Sequence, residues 1–295
     1  MTAKPFAQAF DIWLARLHQS GRLRVWSVVV TIFGDTIIQR GGIVSAATLQ
    51  ELATRLGIEP GALRTAISRL VRDGWITRLK SGRTNSYQLT SNAARVGFEA
   101  ARVIYAATPQ APTRGYQLAL LPQPETRPGE DDSALFTNAG FVQISPGAWL
   151  GPASGHLTEV PTDTANILMA NVAAGNLPSW VIARITPPET AAALAELLHQ
   201  AENLIQAFRE GGADPLDATA ARVVLIHEWR RIALRQAQAG SAILGPDWPG
   251  ESCRSGVSAL YHLLLAASAL WLDTRPELSP ASGDDEAGRF GRPSG

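Results

Sequence analysis

The feature that most limits what this chain can become is the stretch from Pro60 to Thr90, PGALRTAISRLVRDGWITRLKSGRTNSYQLT. At 100° per residue, Leu63, Ala66, Ile67 and Leu70 fall within an arc of about 100°, and Arg64, Thr65, Ser68, Arg69 and Arg72 fill the opposite arc. The spacing predicts an amphipathic helix. Pro60 suits its first turn, where a missing N–H costs nothing, and Gly74 suits its stop. Upstream, TLQELATRL predicts a shorter helix over Leu49, Leu52, Ala53 and Leu56, with Thr48 and Glu51 spaced as a capping box and Gly57 as terminator. Two short helices joined by a tight Gly-containing turn are the helix-turn-helix pattern. Directly after it, WITRLK-SGRT-NSYQLT predicts a hairpin, with Trp75, Leu79, Tyr87 and Leu89 for packing and Arg78, Lys80 and Arg83 towards its tip. The outline is a winged helix-turn-helix.

The charges give that outline a chemistry. Within the stretch Arg64, Arg69, Arg72, Arg78, Lys80 and Arg83 face one acid, Asp73. Exposed helix faces usually carry both signs, so a face without acids until its last residue points to a polyanion. A major groove about 12 Å wide admits one α-helix, and an Arg fork pairs with guanine O6 and N7. Ser and Thr add hydrogen bonds to bases or phosphates, and wing cations meet neighbouring phosphates. Formal net charge over 295 residues is zero, but residues 1–105 hold 14 Lys and Arg against 6 Asp and Glu, leaving 12 against 20 beyond. Such asymmetry between halves points to nucleic-acid or membrane contact by the basic half.

Beyond Tyr105 the Pro-rich ATPQAPTRG marks a boundary, followed by short β-like runs: GYQLALLP, FVQISPGAWLG, HLTEVP, NILMANV and WVIARITPP. Strands with room for helices between them predict a small α+β, ferredoxin-like domain over 107–187. Residues 188–273 read as helices: one placing Leu194, Leu197, Leu198, Ala201, Leu204, Ile205 and Phe208 on one face, then ATAARVVLIHEWRRIALRQ and CRSGVSALYHLLLAASALWLD. The Gly/Ser/Pro-rich end, 274–295, is expected to be a disordered tail. The fold class is therefore α+β multidomain, with residues 1–106 as the DNA-binding part.

Several chemistries are excluded or left without support. One cysteine, Cys253, permits neither an internal disulfide nor a Cys-cluster zinc site. No secretory signal pattern opens the chain, and the longest apolar run, near YHLLLAASALWL, is too short to span a bilayer, so a cytoplasmic protein without membrane contact is expected. HEWRR, from His227 to Arg231, mimics a zinc-protease HExxH, but Arg231 stands at the second ligand position. No GxSxG, Walker A or GxGxxG motif is present. A metal-dependent nuclease needs carboxylates at a strand end, and LALLPQP offers none before Glu125.

On SVVVTIFGDTIIQRGG, GALRTAISRLVRDGWI, GRTNSYQLT, LIHEWRRIALR and DWPG with the later LYHLLL and WLD, the chain resembles the phenylacetic-acid degradation repressors, the PaaX-type regulators, from about Arg24 to Asp273. The resemblance implies an N-terminal winged helix, a central ferredoxin-like domain similar to Cas2 proteins, and a C-terminal helical effector and dimerisation domain. It also implies a homodimeric repressor of an aromatic-compound catabolic operon, with no catalytic residues, metal or cofactor. Its effector would be an aryl-CoA thioester such as phenylacetyl-CoA. Arg230, Arg231 and His227 are candidates to meet the CoA phosphates, and Trp248 to wall the aryl group. For each, a salt-bridged helix face or a packing anchor is the plainer alternative. The rival functions are a Cas2-like nuclease centred on Glu125 and a DNA-binding module without an effector.

Overall fold

The structure, a computed structural model, describes residues 4–81, 84–106, 115–122, 136–137, 139–153, 167–173, 175–245, 248–280 and 288–291. It opens with α1 (Pro5–Gln19) and α2 (Val25–Ile32), the latter running on through a π-turn (Phe33–Ile37) and a 3-10 turn (Ile38–Arg40). The β-branched run of α2 is helical because Val28, Val29, Ile32, Phe33 and Ile37 recur at helical spacing and are all buried. Next come β1 (Ile43–Ser45), α3 (Ala46–Arg55), α4 (Pro60–Arg72), β2 (Ile76–Ser81), β3 (Thr84–Leu89) and α5 (Ser91–Ile104). Four strands follow: β4 (Gly115–Leu120), β5 (Val142–Ser145), β6 (Ala148–Pro152) and β7 (Leu168–Ala173). The chain ends in helices α6 (Ser179–Ile185), α7 (Pro188–Gly211), α8 (Pro215–Ile232), α9 (Gln238–Leu244) and α10 (Pro249–Leu272).

These elements form two units, so the molecule is an α+β mix with two small sheets and many helices. The first comprises Met1–Ala107, Leu197–Arg231 and Arg254–Gly295. Its sheet has the order β1-β3-β2, all antiparallel. β1 was not expected from the sequence; three residues long, it exists by pairing Ile43, Val44 and Ser45 with Gln88, Tyr87 and Ser86. The core of this unit is α8, where Ala218 to Trp229 are buried without a break. A helix buried on all sides must pair its polar groups, and this one does. Arg222 Nε lies 2.8 Å from Asp35 Oδ2 with both side chains fully buried. Glu228, also buried, meets Arg231 at 3.0 Å and Arg22 at 3.4 Å. α10 is long and apolar enough to cross a bilayer, yet its Val257, Leu260, Tyr261 and Leu264 lie at core spacing and are buried.

The second unit comprises Thr108–Glu196 and Ile232–Cys253. Its antiparallel sheet has the order β5-β6-β4-β7. The alternation of β6 sends Ala148 and Leu150 to one face, against Val181, Ile185 and Ile243. Trp149 goes to the other, where it stacks on Phe136 at 5.2 Å. Gly151 is required there, since a Cβ would come within 2.6 Å of the Phe141 ring. The run WVIARITPP, expected to be a strand, is helix α6 instead. Val181 and Ile185, four apart, are buried while Trp180 and Ile182 face outward, a helical division of a short apolar run. HLTEVP and most of GEDDSALFTNAG lie outside the described residues.

Two further expectations are corrected. α3 starts earlier than TLQELATRL implied: Ser45, not Thr48, is its N-cap, with Ser45 Oγ accepting from Thr48 N at 3.1 Å. Glu51 is turned away to accept from Trp271 Nε1 and Arg275. The end of the chain is not uniformly a disordered tail. Leu278 is buried, and so are Arg289 and Phe290. Composition misses this because the order comes from partners distant in sequence: Arg289 donates to Asp35 Oδ1 at 2.8 Å, and the Phe290 ring meets Tyr105 and Tyr261 edge-on at 5.3 and 5.5 Å.

Candidate nucleic-acid interface

Local signals build α3 and α4 into a rigid pair. α3 buries Leu49, Leu52 and Ala53 and ends at Gly57, whose φ of +68° lets Ile58 N donate back to Ala53 O at 2.9 Å. His18 Nε2 sits 2.8 Å from the Leu56 carbonyl and closes the turn from α1. Pro60 opens α4, and Leu63, Ala66, Ile67 and Leu70 form its buried stripe. Gly74, at φ +72°, ends it, with Trp75 N donating to Leu70 O at 2.9 Å. The Thr90 hydroxyl then donates to Gly74 O at 2.8 Å and accepts from Ala93 N, tying the end of α4 to the start of α5.

The opposite face of α4 is open. Arg64, Thr65, Ser68, Arg69 and Arg72 are all exposed. Thr65 Oγ1 donates to Gly61 O, which fixes the hydroxyl without covering it. Arg69 Nε and Arg72 Nε lie 3.3 and 3.2 Å from the two carboxylate oxygens of Asp73. Exposed pairs of this kind are worth about 0.2–1 kcal/mol each, so a phosphate or a guanine edge can displace them. The Arg69 guanidinium also lies 5.5 Å from the Trp26 ring of α2, a neighbour the sequence reading missed because it is distant in the chain. In the hairpin, Arg78 pairs across with Tyr87 and Lys80 with Asn85. Arg78 and Lys80 are exposed, two residues apart on one side of β2. Tyr87 is buried on the same face as Arg78, whose guanidinium lies 5.8 Å from its ring, and Trp75, Leu79 and Leu89 are half-buried. Arg83 lies outside the described residues, as does Glu125.

The candidate effector residues fall in different units. His227 is buried in the first, with Nδ1 3.3 Å from Thr31 Oγ1 and Nε2 3.4 Å from the Arg22 carbonyl. Burial, reinforced by the Arg230 charge, lowers its pKa to about 4, so the ring is neutral at pH 7. Arg230 donates to Thr31 Oγ1 at 2.9 Å, and burial lowers its pKa as well. Arg231, paired with Glu228, is half-exposed. Trp248 belongs to the second unit, where it is buried and donates from Nε1 to Thr186 Oγ1 at 3.1 Å. Ring carbons or nitrogen of Trp248 lie within 2.5 Å of where a Cβ on Gly240 or Gly250 would stand, so both positions need glycine.

Comparison with known proteins gives this geometry its context. A model of the PaaX-like protein family matches residues 24–93, from α2 through the hairpin to the start of α5. The model of the PaaX-like protein C-terminal domain matches residues 188–274, from α7 to the end of α10. The transcriptional repressor PaaX of Escherichia coli (strain K12) is 27% identical over 292 residues, spanning 90% of this chain and 89% of that protein. Among solved structures, the uncharacterized protein Rv0674 from Mycobacterium tuberculosis aligns with a TM-score of 0.41 and 18% identity, over 76% of this chain and 91% of that one. The chain is thus a transcriptional regulator rather than an enzyme. It belongs to the PaaX-like family.

Proposed function

We propose that the chain is a repressor that binds operator DNA as a homodimer through a winged helix-turn-helix and controls an operon for phenylacetate-type catabolism. In this reading α3, the turn and α4 are the helix-turn-helix, and β2 and β3, backed by β1, are the wing. One observation carries it: α4 buries an apolar stripe and exposes Arg64, Thr65, Ser68, Arg69 and Arg72 together, beside the exposed Arg78 and Lys80. α4 enters the major groove, Arg64 and Arg69 reach base edges, and Arg78, Lys80 and Arg83 meet phosphates. Two copies would occupy half-sites one helical turn, about 34–36 Å, or a multiple apart. Residues 107–187 form a ferredoxin-like, Cas2-like domain, a reading supported by the antiparallel order β5-β6-β4-β7, in which the first strand lies between the third and the fourth.

The effector in this reading is an aryl-CoA thioester such as phenylacetyl-CoA, with Arg230, Arg231 and His227 of the first unit and Trp248 of the second each to be probed separately. Release requires the effector to favour a dimer that mismatches the half-site spacing, by a coupling of about 1–3 kcal/mol or more. The test selects duplexes from a random pool with the full chain, then titrates phenylacetyl-CoA into the complex and into the free protein. Enrichment of an inverted repeat, its release by the thioester and a ligand-dependent rise in Tm support the reading. Enrichment without any thioester effect leaves a DNA-binding module with no such effector. No enrichment overturns the DNA reading itself.

A further inference from the structure

The segment behind α10, which composition assigns to a loose tail, grips α3 and its junction with β1. Trp271 Nε1 donates to Glu51 Oε1 at 3.1 Å, and the Arg275 guanidinium spans both Glu51 oxygens at 2.7 and 3.2 Å. Asp273 Oδ1 takes a 2.5 Å contact from Arg40, whose guanidinium is almost wholly buried. Ser279 N donates to the Arg40 carbonyl at 3.0 Å, and Leu278 is buried. The tightest hold is at Glu277. Its Oε1 accepts from Ser45 N at 3.0 Å and from Thr48 Oγ1 at 2.6 Å, while Ser45 Oγ donates to Thr48 Oγ1 at 3.0 Å.

The position of Ser45 gives these contacts their consequence. It is the last residue of β1, paired with Ser86 of β3, and also the N-cap of α3. It therefore joins the sheet that carries Arg78 and Lys80 to the helix pair that carries Arg64, Arg69 and Arg72. In a capping box the acid that accepts from the N-cap N–H lies three residues on in the same helix. Here that position is Thr48, and the carboxylate comes instead from Glu277, 232 residues along the chain. A side chain from beyond α10 thus holds the residue at which the sheet meets α3.

We propose that the segment from Trp271 to Ser279 is the link through which the C-terminal helices hold the wing and the reading helix in DNA-binding register, with Glu277 as its positioning residue. Residues 275–280 fall beyond both family matches, and the inference rests on α4 and the hairpin being the DNA face. In this reading Glu277 acts through Ser45 and Thr48, from which its carboxylate accepts. Its carboxylate stays ionised at neutral pH: burial acts to raise its pKa, but the hydrogen bonds from Thr48 and Ser45 outweigh this and lower it.

The test uses the full chain, a duplex enriched from a random pool by the wild type, and Glu277→Gln, Glu277→Asp and Arg69→Ala. Fluorescence anisotropy reads affinity at fixed salt, circular dichroism confirms the folded fraction at the assay temperature, and amide exchange reads Thr48 and Leu49. Glu277→Gln is expected to bind about tenfold more weakly while folded, with faster exchange at those amides and partial recovery in Glu277→Asp. Wild-type affinity in Glu277→Gln, with or without a lower Tm, would reduce the contact to stability alone and overturn the proposal. If Glu277→Gln is unchanged while Arg69→Ala loses binding, the link fails and the DNA face stands. If the wild type enriches no duplex, the DNA face fails and the link with it.

Discussion

Replacing Asp35 by Asn tests whether the buried charges of the first unit are balanced as the structure places them. Asp35 is fully buried, with Arg222 Nε at 2.8 Å, Arg289 at 2.8 Å and Tyr105 Oη donating at 2.6 Å. Two guanidiniums thus share one carboxylate. Burial first, and then the Asp35 charge, raise the Tyr105 pKa well above its ordinary value, which keeps the phenol a donor. Asn conserves the shape but removes the carboxylate charge that both buried guanidiniums face. Breaking a buried pair in that way costs about 3–5 kcal/mol. Arg289→Met behaves differently, because it leaves the neutral Asp35–Arg222 pair intact and forfeits mainly hydrogen bonds, about 1–2 kcal/mol. With two units, global unfolding has no single midpoint free energy. Native-state amide exchange along α8 reads the first unit by itself. The expected order is a large loss of α8 protection in Asp35→Asn and a small one in Arg289→Met. Equal losses, or Asp35→Asn within about 1 kcal/mol of wild type, would refute the charge argument.

The remaining expectations are simpler. Lys80→Ala and Arg78→Ala should weaken binding to all duplexes alike and each flatten the salt slope by about one, measured as Kd against salt concentration. His227 is held neutral in the fold, with a pKa of about 4 against 6.5 when unfolded, so the unfolded chain binds the extra proton between those values. Its contribution is present above pH 6.5 and lost as pH falls towards 4, about 3 kcal/mol in all; His227→Gln should remove that part of the acid sensitivity in α8 exchange. Gly250→Ala drives a Cβ to 2.1 Å from the Trp248 ring and should destabilise the second unit by about 1–3 kcal/mol, read from exchange in β6.

What was legible in the sequence was local. The division of α4 into a buried and an exposed face followed from the spacing of Leu63, Ala66, Ile67 and Leu70 between Pro60 and Gly74, and all four are buried. The hairpin followed from alternation around a Gly-containing turn, and the face of α7 from Leu194, Leu197, Ala201 and Leu204. What escaped was decided elsewhere in the chain. β1 needs β3 to exist, Trp26 meets Arg69 only once α2 and α4 pack, and Arg289 is ordered by Asp35. The start of α3 was misplaced because Thr48 and Glu51 have capping-box spacing, while the hydroxyl that caps the helix is Ser45 and its carboxylate is Glu277. α6 was misread because seven apolar-rich residues fit a strand or a helix equally well until Val181 and Ile185 meet the sheet.

The most direct measurement of the central claim is the affinity of wild type and Arg69→Ala for one enriched duplex and for versions altered at single base pairs. The account expects Arg69→Ala to lose about 1–3 kcal/mol on the enriched duplex and to become indifferent to the identity of one base pair that the wild type discriminates. Unchanged affinity, or a loss that is the same on every sequence, would contradict a base-reading role for the exposed face of α4.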